Sequence, residues 1–141
     1  MNFIPGLNEH IRKQADALSY SVSDQAPNTP QDLFGSTGGL VVWAGASDQT
    51  IYGDPSVNWA FRAVHDNLHL KHGFDFTVPE EIELGRVQAS MFPGKLGDFI
   101  YADIVGQAEF FLKNGHFPVD QKAFICDYLE ALWGEPCKEL R

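Results

Sequence analysis

From residue 54 onward the chain alternates helix-starting and helix-stopping signals at short intervals. Asp54-Pro55-Ser56 sets a capping carboxylate before a proline, whose fixed φ suits the first turn of a helix. Gly73 is the matching stop, so a helix is expected from Asp54 to about His72. Thr77-Val78-Pro79-Glu80 has the form of a capping box and opens a second helix, which Pro93-Gly94 ends after about Met91. A third is expected from about Leu96 to Lys113, stopped by Gly115. A fourth is expected from about Asp120 to Trp133, stopped by Gly134 and Pro136.

Upstream, Leu7, Ile11, Ala15 and Leu18 repeat at helical spacing and predict one more helix within residues 7–20. Residues 21–38 are rich in Ser, Asp, Asn, Pro and Gly and predict a loop, with one turn at Pro30–Phe34. Leu40-Val41-Val42-Trp43-Ala44, bounded by glycines, is the best strand candidate, with Thr50-Ile51-Tyr52 as its hairpin partner. The expected fold class is mainly α. It is a compact bundle of four to five helices with at most a small β-hairpin or extended segment near residues 40–52.

With 141 residues, 44% of them hydrophobic, one domain over residues 1–141 is expected. The net charge of −9 comes from 19 acids against 10 Lys and Arg. Such a surface repels phosphate backbones, which disfavours nucleic acid and leaves a cation or a basic partner easier to accommodate. Its commonest role is solubility. The first ten residues lack the basic and apolar regions of a secretory signal, and no apolar run is long enough to span a membrane. A cytoplasmic setting follows. Cys126 and Cys137 form no metal-knuckle spacing and are expected as thiols, with a disulfide holding the C-terminal tail as the minority alternative.

The helix beginning at Pro55 carries the chemistry. On a helical wheel, Val57, Ala60, Phe61, Val64 and Leu68 gather on one side, and Trp59, Ala63 and Leu70 on another. Between them runs a polar stripe of Asn58, Arg62, His65, His69 and His72. Apolar faces on both flanks predict a partly buried stripe, whose members need hydrogen bonds or a metal. His65 and His69 stand four residues apart, so their rings project from one face a turn apart. This is the spacing by which a helix offers two nitrogens to one ion. The spacing does not choose among Zn, Mn and Fe. It also arises often on a solvated helix face, where it binds nothing.

Two histidines need a third ligand. Glu81 shares a helical face with Leu84 and Gln88, so if Leu84 is core, Glu81 and Gln88 face inward while Glu83 is solvated. Glu81 is therefore the expected carboxylate ligand or general base. Its bland alternative is an acid complementing the helix dipole. Asp66, a quarter turn from the histidine line, can orient an imidazole. Asp103 lies among Phe99, Ile100, Gly106 and Phe110, where an acid needs a cation or a partner. A structural Arg62–Asp103 ion pair competes with a catalytic role for Asp103. His116 is expected as a capping or surface residue, and nothing ties His10 to the others.

The segment from Phe61-Arg-Ala-Val-His-Asp-Asn-Leu-His to Thr77-Val-Pro-Glu-Glu, with Gly106-Gln107 downstream, resembles a pattern of uncharacterised small bacteriophage-type proteins. The resemblance covers about residues 58–125 and implies a viral or prophage origin, hence a host cytoplasm. His65, Asp66, His69, Glu81 and Gln107 are the polar positions that match. The segment is also similar to HExxH zinc peptidases, but Asp66 stands where their catalytic Glu would be, and its shorter side chain reaches a water on the metal poorly. The His65-Asp66 dyad resembles the all-helical HD phosphohydrolases, which need a further upstream histidine. Only His10 precedes it.

Two functions follow from these residues. One is a metal-dependent hydrolase with a divalent ion held by His65, His69 and Glu81, Asp66 or Asp103 assisting, and a small-molecule substrate. Phosphoesters suit its helical fold better than peptides do. The other is a non-catalytic acidic protein that binds a host or partner protein, its histidine stripe serving as a structural polar network.

Overall fold

The computed structural model describes residues 2–34 and 39–140 and is mainly helical, as expected. Residues 35–38, the end of the expected loop, lie outside the described residues. The chain divides into two compact units, Met1–Phe76 and Thr77–Arg141. Among the described residues no helix is long and apolar enough to cross a membrane.

In the first unit, α1 (Leu7–Ala15) buries Leu7, Ile11 and Ala15. It stops earlier than the apolar spacing predicts. Asp16 N still donates to Arg12 O, but Leu18 N turns back to Ala15 O, and the chain then extends. Tyr20–Ser23 forms β1, where a helix end and loop are expected from the sequence. It pairs in parallel with β2 (Leu40–Trp43), in the register Tyr20↔Leu40 to Ser23↔Trp43. The partner of β2 is therefore β1, and the hairpin with Thr50–Tyr52 does not form. Residues 50–52 turn instead, with Tyr52 N donating to Thr50 Oγ1 and with Ile51 and Tyr52 buried. Parallel strands require a crossover, and residues 24–39 supply it. The crossover holds a 3₁₀ turn, Pro30–Leu33, closed by a reciprocal capping box between Thr29 and Asp32 and anchored by the buried Leu33.

α2 (Pro55–His72) is the central helix of this unit and packs on both α1 and β2. Asp54 caps it, accepting from Ser56 N at 2.9 Å and from Ser56 Oγ at 2.8 Å. These hydrogen bonds hold the Asp54 carboxyl below its ordinary pKa. Desolvation opposes them, and the Arg12 guanidinium at 3.2 Å adds to the lowering. A depressed folded pKa contributes stability that is present above the unfolded value and is lost as pH falls through the folded one. Asp54→Ala is expected to cost about 1 kcal/mol at neutral pH. The gap from wild type should begin to narrow as pH falls through about 4, where the unfolded carboxyl protonates, and should close further as the folded carboxyl follows at lower pH. Urea denaturation at pH 7 and pH 3 checks this, and an equal gap at both values refutes it.

In the second unit, α3 (Val78–Ala89) begins at Thr77, whose hydroxyl accepts from Glu80 N at 3.4 Å. Leu84, Gly85 and Gln88 form its buried face. The expected single helix over 96–113 is three pieces: α4 (Lys95–Tyr101), a π-helical turn (Ala102–Gly106) and α5 (Gln107–Asn114). The π turn fits a crowded place. A Cβ on Gly85 would meet Val105 Cγ2 at 2.6 Å and Ile104 Cγ2 at 2.7 Å, so α3 lies directly against it. A Cβ on Gly106 would come within 3.2 Å of the Tyr128 ring. The extra residue per turn lets Ala102, Ile104, Val105 and Gly106 all be buried.

Tyr128 belongs to α6 (Gln121–Trp133). Burial pushes its phenol up to about 12, with Glu109 and Tyr101 adding to the shift. Trp133 closes this unit. Its indole donates to Asp98 Oδ2 at 2.8 Å, meets Phe99 edge-on and carries the Lys95 ammonium over its face. Cys126 and Cys137 are buried thiols with no bridge between them; the Cys126 Sγ–H points to the Cys137 carbonyl at 3.6 Å.

Candidate metal centre

The polar stripe of α2 divides into two halves with different work. The N-terminal half fastens the chain that follows β2. Asn58 is buried and donates to Ser47 Oγ at 2.9 Å, while Ser47 Oγ–H points to the carbonyls of Ala44 and Gly45 at 3.0 and 3.1 Å. Arg62 Nη1 donates to the Trp43 carbonyl at 2.7 Å and to that of Gly45, and its guanidinium lies 4.8 Å from the Trp43 ring centre. A Cβ at Gly45 would run into that same indole. Asn58 and Arg62 are thus structural, the role expected of a buried polar network.

The C-terminal half is histidine. The His65 and His69 rings lie 4.9 Å apart at 81°, His65 stacks along Phe61, and Phe76 stands edge-on to His69 at 4.8 Å. His69 is 1% exposed and His65 is half-buried. His72, the last member, is exposed and stacks on Phe74.

The end of α2 orients His69. Gly73 takes the left-handed conformation, φ 69°, and both Gly73 N and Phe74 N return to the His69 carbonyl. This wraps the chain so that the Phe74 carbonyl meets His69 Nδ1 at 3.0 Å. A carbonyl only accepts, so Nδ1 is the donor in this hydrogen bond and the ring is held in a fixed orientation. That is the arrangement by which a backbone carbonyl prepares a histidine for a metal. Gly73→Ala meets no neighbouring atom but must hold a positive φ. It is expected to cost about 1 kcal/mol. By loosening the Phe74 carbonyl it should weaken metal binding about tenfold. Urea denaturation and a competition titration with a chromophoric chelator measure the two effects.

Glu81 lies in the first turn of α3 and is half-buried, Leu84 and Gln88 are fully buried, and Glu83 is exposed. The face expected to turn inward does so. Among the described residues, a nitrogen of His65, a nitrogen of His69 and a carboxylate oxygen of Glu81 all lie within 4.8 Å of one another. The set of two imidazoles and one carboxylate is that of catalytic zinc sites, which keep a fourth position open.

Asp66 and Asp103 contribute no atom to this group. Asp66 is half-buried on α2. Asp103 sits in the π turn and accepts from Gln107 Nε2 at 2.6 Å, and Gln107 itself is buried. His116 is exposed, with Nδ1 2.9 Å from the Phe117 carbonyl, and His10 lies on α1. The sequence did not single out the Phe74 carbonyl, Phe76 or the Arg62 anchor. The Gly73 stop signal was the one available clue to the first of these. No protein-family model, curated protein or solved structure matches the chain, so these side chains and their geometry carry the functional argument.

Proposed function

We propose that this protein binds one divalent metal ion through His65, His69 and Glu81 and uses it to hydrolyse a small-molecule phosphoester. The observation that supports the reading is that ligand atoms of His65, His69 and Glu81 lie within 4.8 Å of one another, with the buried His69 ring oriented by the Phe74 carbonyl. Zn, Mn and Fe all suit the donor set. The ion would supply Lewis-acid activation of water. Asp66 and Asp103 are the acids proposed to orient or deprotonate. The helical architecture favours a phosphoester over a peptide bond, and Asp66 in place of a glutamate points the same way. From the phage-type resemblance we propose a host cytoplasm as its setting.

The test is elemental analysis of protein purified without a histidine tag, together with His65→Ala. Near-stoichiometric metal that disappears in the variant supports the reading, and metal-free wild-type protein ends it. A second reading, a non-catalytic protein that binds a host partner, is favoured by the Asn58–Ser47 and Arg62–carbonyl bonds. They show that half of the stripe serves structure. Stoichiometric metal without hydrolysis of any phosphoester would favour it.

A further inference from the structure

The C-terminal end of α2 and the start of the 3₁₀ turn face each other across an open cleft of about 310 Å³. That volume lies at the lower limit for a small-molecule site. His69 lines it, beside Leu70, Phe74 and Asp75 on one wall and Thr29 and Gln31 on the other. No lysine or arginine lines it, and its one formal charge is the Asp75 carboxylate. The cleft also lies at the carbonyl end of α2, the negative end of the helix dipole. Phe74, half-buried and stacked on the exposed His72, completes this wall. An acid and the negative end of a helix dipole beside a small cleft without cationic lysine or arginine are elements that attract an alkylammonium group. They repel a free phosphate.

We propose that this cleft binds the alkylammonium part of the substrate. The inference rests on the reading of His69 as a metal ligand, and it narrows the substrate class to amino-alcohol phosphoesters. The ammonium occupies the cleft while the phosphoryl group reacts beside His69. In that hydrolysis the oxygen of water bonds to phosphorus and the phosphorus–oxygen bond to the amino alcohol breaks. The alcohol leaves with one proton from the water, and phosphate is released.

Choline and its neutral isostere 3,3-dimethylbutan-1-ol test the cleft directly, because neither a quaternary nitrogen nor a neutral alcohol depends on the metal. Titration followed by NMR shifts of the Leu70 and Phe74 amides is expected to show choline binding at least fivefold more tightly than the isostere. Asp75→Asn is the informative variant. Asp75 Oδ1 accepts from Phe76 N at 2.8 Å, and the amide oxygen of asparagine keeps that bond while the charge is lost. Choline affinity is expected to fall about tenfold in Asp75→Asn, with metal content and circular dichroism unchanged. Equal affinity for choline and the isostere, no shift with either, or choline affinity unaltered by Asp75→Asn overturns the proposal. Choline binding by protein that takes up no metal would sustain the ammonium site and remove the hydrolase reading. Metal uptake without choline binding would do the reverse.

Discussion

Chelator-treated protein is expected to take up one equivalent of Zn²⁺ or Mn²⁺ and to melt roughly 10 °C higher with free metal at a hundred times Kd. An ion that binds only the folded state adds about 2.7 kcal/mol at that excess. For a chain of this size each kcal/mol moves Tm by a few degrees. The ligand variants should separate binding from folding. His65 is half-buried, so His65→Ala should leave the metal-free Tm nearly unchanged and abolish the rise. His69 is buried against Phe76 and bonded to Phe74, so His69→Ala should lose the rise and also lower the metal-free Tm. A wild-type melting curve indifferent to both chelator and metal would sink the metal centre.

Arg62→Ala is expected to be among the most destabilising single changes in the first unit, at about 3 kcal/mol. It removes charge-assisted hydrogen bonds to two carbonyls and a guanidinium resting on an indole. The carbonyls of Trp43 and Gly45 lose their donor where β2 gives way to the loop. Arg62→Lys should recover less than half of the loss, because one ammonium cannot reproduce the planar stack and the fork together. Urea denaturation followed by tryptophan fluorescence is the measurement. A loss below about 1 kcal/mol in Arg62→Ala would show that the anchor is incidental.

Helix ends were legible in the sequence because their chemistry is local. Asp54, Gly73, Thr77, Gly115 and Gly134 each act within a few residues of themselves, and each stands where its helix begins or ends. The inward turn of Glu81 was legible for the same reason, since Leu84 and Gln88 share its face. Three features were not. Tyr20–Ser23 alternates too little to announce a strand, and its middle residues are exposed, so only its partner makes it one. The π turn at Ala102–Gly106 depends on what presses against it from α3 and α6, and a continuous wheel over 96–113 passes straight through it. The carbonyl partners of Arg62 are the third, because backbone carbonyls leave no mark in a sequence.

The parallel pairing of β1 with β2 has a kinetic consequence. No tight turn between these strands can nucleate them, because parallel strands need a connection longer than a hairpin before Tyr20 can pair with Leu40. α2 can form from contacts a few residues apart, and the strand pair cannot. The strand pair that carries the Trp43 carbonyl bonded by Arg62 is therefore expected to form after α2.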